Sequence, residues 1–529
     1  EITVWGYGGD AGDEIEVLIK DKNGSVVRQK TAVSDGRVWE VTIDEGISGS
    51  LDAYQITATD KSDAENTKTV SDILFGDVFI ASGQSNMGYT LGNLYNRLNA
   101  LGTEEAISYC KEIVGQANEN LDGLRFFYQP GFSSIYELED AYAGKWYKNG
   151  DFHSGVHSAS AVAYFFAYDL YKNKLNEEIP VAFVTAALGG SGVRAWLTEE
   201  AYEELFPELT DFNRAHYSVG GIYTGCYNAL LAPLEKNNYR GVIWYQGEGD
   251  HSQYADYDKW FEAMHKAWMK RFNDDKLSFT TVQLAGWDGG SSSRYFPEIR
   301  QTQMQIWQKN EGLVNMITAI DVGENDGTLS NSNDIHPLYK TPVGKRISAA
   351  VANNIYGMDI EYSGPLFESV KKLGSGLELS FTHADGLNTK TRTAPYKEEY
   401  MADTKINCLE ISTDGKTWVE AQNASISGNK IIITCDEAYT YVRYAWSDYP
   451  ENPNLYNSEN FPAFPFTASV SNERVMDVRS NNASVTVTLP LTDTLKLSGK
   501  LFVAKYDKEN GRMKALEMTD ANFVLNDEN

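Results

Sequence analysis

The chain has 529 residues, 46 lysines and arginines against 74 aspartates and glutamates, and a formal net charge of −28. Such a charge repels phosphate backbones and anionic lipid surfaces, which argues against nucleic acid and lipid surfaces as partners. The length exceeds what one hydrophobic core organises, and the 42% hydrophobic and 23% charged composition is that of a globular protein of several domains.

Residues 1–74 alternate in the manner of strands: "ITVWGYG", "EIEVLIKDKNGSVVRQK", "RVWEVTI" and "AYQITATD", with Asn23-Gly24 as a hairpin turn. This predicts a β-sandwich or jelly-roll-like domain. The chain starts at Glu1, already in strand-like sequence, without an initiator methionine or a signal-like segment. That reads as a mature or trimmed chain, secreted or displayed at a cell surface and of bacterial type, in keeping with the acidic composition.

From residue 75 to 358 the pattern becomes alternating β and α. Five nearly continuous apolar runs, "DVFIAS" (77–82), "VAFVTAA" (181–187), "GVIWYQG" (241–247), "LSFTTVQLA" (277–285) and "MITAIDV" (316–322), read as buried parallel strands. Helices are predicted over 158–172 and 256–272. A third follows at "PVGKRISAAVANNIYG", with Val343, Ile347, Ala350, Val351 and Ile355 on one face and Gly357 as its stop. The expected fold class is α/β, a doubly wound parallel sheet of five strands flanked by β domains. Its functional side chains should gather at the carboxyl ends of the strands. Strand-like sequence returns over 359–468, and residues 469–529 read as an additional, partial β module. Cys110, Cys226, Cys408 and Cys435 show no CxxC spacing, which argues against zinc; pairing of Cys408 with Cys435 is left open.

Four stretches follow those strands and carry polar chemistry. "GQSNM" puts Ser85 directly after the first. A serine hydroxyl becomes a nucleophile only with a base in reach, an orienting group for that base and donors for the developing oxyanion. "AALGGSGVRAWL" offers Gly189 and Gly190, whose backbone N–H groups can approach a substrate oxygen closely. "IWYQGEGD" offers the Gln246 amide and the Glu248 carboxylate. "NSNDIHPLYK" places Asp334 two residues before His336, with Pro337 behind. His251 is the rival base among the seven histidines; His153, His157, His216, His265 and His383 fall in helical, loop or β sequence. The order Ser, Gly, Gln, Asp, His, and Met87 where a second glycine would stand, argue against the G-x-S-x-G layout of α/β-hydrolases. The loop "DVGENDGTLSNSND" is oxygen-rich enough for calcium and reads instead as a solvated loop.

"GDVFIASGQSNM", "GGSGVRAWL", "YNALLAPLEKNNYRGVIWYQGE" and "DIHPLYKTPVGKRISAA" resemble the sequence blocks of SGNH-type carbohydrate esterases, in particular the sialate O-acetylesterase family, over roughly residues 3–468. The resemblance implies a carboxylic ester hydrolase releasing acetate from an O-acetylated glycan, without metal or cofactor. It implies Ser85 as nucleophile, His336 as general base, and an oxyanion hole from the Ser85 amide, Gly189 or Gly190, and the Gln246 side chain. The D-x-x-H spacing common in such enzymes would put the acid at Asn333, which cannot ionise. Asp334 is therefore the expected acid, with Glu248 as alternative or support. Arg194, Trp196 and Asp250 are expected at the substrate rim, where the chain departs from its relatives. The substrate alternatives are O-acetylated sialic acid and neutral acetylated xylan or mannan. An inactive glycan-binding protein is the reading of a different class, and a lipase or thioesterase lacks an apolar lid.

Overall fold

In the computed structural model of the chain, the structure describes residues 1–208, 223–287, 289, 294–323, 334–435 and 439–470, with the backbone of four strands between 477 and 525. The chain forms two compact units, Glu1–Ala468 and Ser469–Asn529. The second contains two antiparallel hairpins, Asp477–Ser480 with Val485–Thr488 and Leu495–Tyr506 with Met513–Leu525. No helix among the described residues is long and apolar enough to cross a membrane.

The first unit is an α/β protein built on a seven-stranded mixed sheet. We number its strands β1 (Asp77–Gly83), β2 (Leu124–Tyr128), β3 (Lys145–Lys148), β4 (Val181–Ala187), β5 (Gly241–Tyr245), β6 (Phe279–Gln283) and β7 (Val314–Thr318). They lie in the order β7-β6-β5-β1-β4-β2-β3, all parallel except β3, which pairs antiparallel with β2. The expectation of five parallel strands is thereby corrected to seven. The two additions, "LRFFY" and "KWYK", form the outer edge beyond β4, where a strand need not be apolar on both faces and so lacks the continuous hydrophobic run of a central strand. Numbered among themselves, the five expected strands stand in the order 2-1-3-4-5. This leaves a topological switch point between β1 and β5, where ligand crevices form in open α/β sheets.

Strands β5, β6 and β7 are buried at every position, as two covered faces require, even though β7 ends the sheet. Helices Ala161–Asp169, Tyr254–Arg271, Phe296–Lys309 and Thr341–Asn354 contribute buried residues to the core around the sheet. Val343, Ile347, Ala350 and Val351 are all buried. Trp244 sits edge-on to both Trp196 and Trp268, with centroids 5.9 Å apart in each pair. Each such contact is worth about 0.5–1.5 kcal/mol beyond the area it buries.

Before the sheet, strands Val26–Val33, Glu14–Lys20, Ser50–Asp60 and Thr67–Phe75 form one antiparallel sheet, and Ile2–Tyr7 pairs with Val38–Ile43. Alternate residues Ile15, Val17 and Ile19 point inward, so the period-two pattern is realised. Ile15 and Val17 join Ala32, Trp39 and Val41 in a small core. After the sheet, residues 366–469 form three further small sheets. They are tied to the α/β region by a buried ion cluster. Asp321 accepts both Arg346 Nη atoms at 2.7 and 2.8 Å, Arg392 Nη2 at 2.7 Å and the Tyr456 hydroxyl at 3.1 Å. Burial alone would raise the Asp321 carboxyl; the two guanidiniums overcome it and hold it down to about 2. No disulfide joins Cys408 and Cys435, which flank strands of different sheets.

Candidate active site

β1 ends at Gly83, where φ is +137° and an added Cβ would stand 2.1 Å from the Tyr245 carbonyl oxygen. Only glycine allows β1 and β5 to close to this distance. The Gln84 N–H then donates to the same carbonyl at 3.1 Å. The chain turns at once into the short helix Ser85–Gly88, so Ser85 begins a helix at the switch point, half-buried, with a backbone N–H that has no intrahelical acceptor.

His336 reaches Ser85 from the loop after β7. Its Nε2 lies 2.8 Å from Ser85 Oγ. Asp334 Oδ1 accepts the His336 backbone N–H at 2.9 Å and faces Nδ1 at 3.5 Å. With the ring proton on Nδ1, toward Asp334, Nε2 is free to accept from the serine. Tyr89 stacks on the imidazole at 5.5 Å, fixing the ring plane. Arg97 Nη2 approaches the other Asp334 oxygen at 3.6 Å. It is placed by the helix Leu91–Leu101, whose start is fixed by a reciprocal Thr90/Asn93 capping box. Burial pushes the Asp334 carboxyl up, but bonds to His336 and the nearby cations prevail and leave it below its ordinary value.

Behind the serine lies a second polar layer. Asn86 Nδ2 donates to Glu248 Oε1 at 2.6 Å and to the Ile335 carbonyl at 3.0 Å, and Asn86 Oδ1 accepts from the buried Lys340 at 2.8 Å. Asn86 thus ties the β1 turn to the β5 loop and the histidine loop at once. Glu248 is buried, its Oε2 has no partner, and burial raises its carboxyl. No bond joins it to the imidazole; it holds Asn86.

The glycine turn after β4 forms the opposite wall. A Cβ at Gly189 would sit 3.6 Å from Ser85 Cβ, and Gly190 takes φ +74°. The turn is pinned from below by Asp250, whose Oδ2 accepts the Val193 N–H and Gln246 Nε2, both at 2.7 Å. Gly192 leaves room for this carboxylate: a Cβ there would meet Asp250 Oδ1 at 2.8 Å. Asp250 is buried, which raises its carboxyl.

Four expectations change. Gln246 was expected to aim its amide at an oxyanion. Instead its Nε2 faces Gln84 Oε1 and Ser191 O, each at 3.2 Å, as well as Asp250, while its Oε1 accepts from Tyr257 at 3.0 Å. Two amide protons are occupied by three internal acceptors, so the side chain braces the turn. Trp196 is not at a rim: it is fully buried, with Nε1 donating to Ser191 Oγ at 3.0 Å, because the turn Val193–Trp196 rolls it onto Trp244. The Arg194 guanidinium lies between the rings of Tyr223 (4.7 Å) and Trp260 (4.3 Å), held by cation–π contacts instead of projecting over the serine. Asp250, assigned to the same rim, is instead an internal brace.

His251 packs against Phe296 at 5.9 Å with its Nδ1 buried and unpartnered, and His265 Nε2 meets the Leu277 carbonyl. His157 bonds the Phe152 carbonyl and His383 bonds Glu361. His216, Asn333 and residues 324–333 of the oxygen-rich loop lie outside the described residues. The functional residues that sequence reasoning passed over are Gln84, Asn86, Tyr89, Arg97 and Lys340. Three of them stand inside "GQSNM" and "DIHPLYK", so the signal was the whole block and not its serine or histidine alone.

The arrangement brings a serine hydroxyl, an imidazole and a carboxylate into successive contact, beside exposed glycines. Comparison with known proteins agrees with that chemistry. Residues 75–338 match the family model described as carbohydrate esterase, sialic acid-specific acetylesterase. The chain is 25% identical over 501 residues to the sialate O-acetylesterase of Homo sapiens, spanning 89% of this chain and 90% of that protein. It is 24% identical over 531 residues to that of Mus musculus, spanning 89% and 92%. A carbohydrate acetylesterase from Xanthomonas citri superposes with a TM-score of 0.70 at 25% identity, covering 88% of this chain and 95% of that one.

Proposed function

Since the chain, through residues 75–338, belongs to the sialic acid-specific acetylesterase family of carbohydrate esterases, we propose that it is a serine carbohydrate O-acetylesterase with Ser85, His336 and Asp334 as its triad. The observation that carries the reading is the 2.8 Å contact of Ser85 Oγ with His336 Nε2 at the carboxyl end of β1. An SGNH-type arrangement of the doubly wound sheet goes with it.

Ser85 Oγ attacks the acetyl carbonyl carbon while His336 Nε2 takes the hydroxyl proton. Negative charge develops on the carbonyl oxygen and is met by the backbone N–H groups of Ser85 and Gly189, with Gly190 beside it. Gln246 and Asp250 hold that turn in place. Asp334 keeps the imidazole oriented and stabilises the imidazolium. The C–O bond to the sugar breaks, and the sugar oxygen leaves with the proton from His336. Water, deprotonated by His336, then attacks the acetyl-enzyme and releases acetate. Fixed backbone dipoles suit this step because they need no reorganisation as the charge appears.

Two substrates fit the family, and one observation favours the neutral one. Arg194, the cation nearest the glycine turn in sequence, is stacked between Tyr223 and Trp260 and is not offered to a sugar carboxylate, and the −28 net charge disfavours an anionic glycan at long range. An acetylated hemicellulose is therefore the second reading beside O-acetylated sialic acid. Acetate release measured side by side from O-acetylated sialic acid, acetylated xylan and acetylated mannan decides between them. Release from none of the three overturns the function proposed.

A further inference from the structure

A cavity of about 720 Å³ lies between helix Phe296–Lys309, the start of β7 and the sheets that follow residue 366. That volume is within the range of ligand sites, roughly 300–1,000 Å³. It is separate from the reaction centre. Asn315 is level with Ala81 across the sheet, through Thr280 and Ile243. Three strand spacings put it about 14 Å sideways from β1, and Ser85 lies four residues, about 13 Å, further along.

The lining has a definite chemistry. Asn315 is 5% exposed, its carboxamide makes no hydrogen bond to protein among the described residues, and it lines the cavity. Trp446 is half-buried; its indole N–H meets no acceptor and its ring stacks on no other ring among the described residues. It follows Ala445, whose φ of +50° turns the chain at that point. The other rings are already engaged: Trp307 packs on Phe464 at 5.7 Å and Phe367 on Phe466 at 4.3 Å. Gln305 and Gln308 stand one turn apart on the exposed face of the helix.

Charge narrows the ligand. Glu311 and Glu368 border the cavity, no lysine or arginine does among the described residues, and His383 is held by Glu361 at 2.8 Å. Phosphate, sulfate and sialate groups are disfavoured there. A flat aromatic face with carboxamides that both donate and accept fits a sugar ring, whose C–H face is apolar and whose hydroxyls donate and accept in turn. We propose that this cleft binds a neutral saccharide chain, independently of the reaction at Ser85, with Trp446 as the stacking platform and Asn315 and Gln308 as hydrogen-bonding partners.

Affinity electrophoresis of the full chain through gels containing arabinoxylan, glucomannan or polysialic acid tests this. Each polymer is first stripped of O-acetyl groups by mild alkali, so the reaction centre meets no ester in the gel. Retardation is expected in at least one neutral polymer and not in polysialic acid. Trp446→Ala and Gln308→Ala should each weaken it at least tenfold while turnover of a small soluble acetyl ester stays unchanged. Gln308 is on the surface, so its variant reads out even where Trp446→Ala fails to fold. Absence of retardation by either neutral polymer, retention by polysialic acid alone, or undiminished retardation of Gln308→Ala would overturn the proposal.

Discussion

Asp334 and His336 are joined twice over: the carboxylate Oδ1 takes the histidine's own backbone N–H at 2.9 Å and faces its ring Nδ1 at 3.5 Å. Glu248, the other carboxylate near the site, bonds Asn86 and not the imidazole. The two therefore separate by mutation. Asp334→Asn is expected to lower kcat by a factor on the order of 10⁴, as loss of a triad acid does. Glu248→Gln keeps an acceptor for Asn86 and should cost less than about tenfold. Steady-state kinetics on a soluble acetyl ester measures both, and the reverse ranking would make Glu248 the acid.

Asp250 illustrates how a residue away from the serine holds the glycine turn beside it. Asp250→Ala leaves the Val193 N–H buried without its acceptor, while Gln246 Nε2 keeps Gln84 Oε1 and Ser191 O. The expected loss is about 1–3 kcal/mol of stability for the orphaned group. A shift of the glycine turn by about 1 Å should lower kcat on the order of 10² with little change in KM. Urea midpoints and kinetics on the same preparation check both.

Gly83→Ala is expected to be severe, costing about 3 kcal/mol or more, because the new methyl would collide with the Tyr245 carbonyl while holding φ near +137°. Gly24→Ala, also at positive φ but with nothing within 4 Å, should cost only about 1 kcal/mol. Urea midpoints of the pair separate close approach from backbone strain alone.

Acid should loosen the attachment of the C-terminal sheets. The Asp321 carboxyl is held at about 2 when folded, below its ordinary value near 4. A depressed pKa contributes stability that is fully present above pH 4 and is lost as pH falls from about 4 through 2. The contribution is about 2 kcal/mol. Asp321→Asn should remove that acid dependence. It should also destabilise by about 3–5 kcal/mol at neutral pH, since Arg346 and Arg392 remain buried without their anion. Urea midpoints between pH 7 and pH 3 for the two proteins measure both effects.

What was legible in the sequence follows from what each signal depends on. Strands β1, β4, β5, β6 and β7 are covered on both faces and announce themselves as apolar runs, and the polar residues just past them fall at one edge of the sheet. β2 and the edge strand β3, outside β4, carry no such run and passed unread. Side-chain direction was the harder matter. Trp196 and Arg194 sit two residues apart on one turn, and only the positions of Trp244, Tyr223 and Trp260 determine that one is core and the other stacked. Gln246 lies beside the site as expected. Where its amide points is set by Asp250, four residues on, a short-range partner that composition cannot distinguish from a rim residue.

The most direct test of the account is the turnover of Ser85→Ala, with circular dichroism and the urea midpoint showing it folded. Ser85 and His336 are 251 residues apart in the chain and share one hydrogen bond. Removing the hydroxyl should lower kcat for acetyl-ester hydrolysis by a factor on the order of 10⁶. Acetate release by the folded Ser85→Ala protein at the rate of the unaltered enzyme would contradict it.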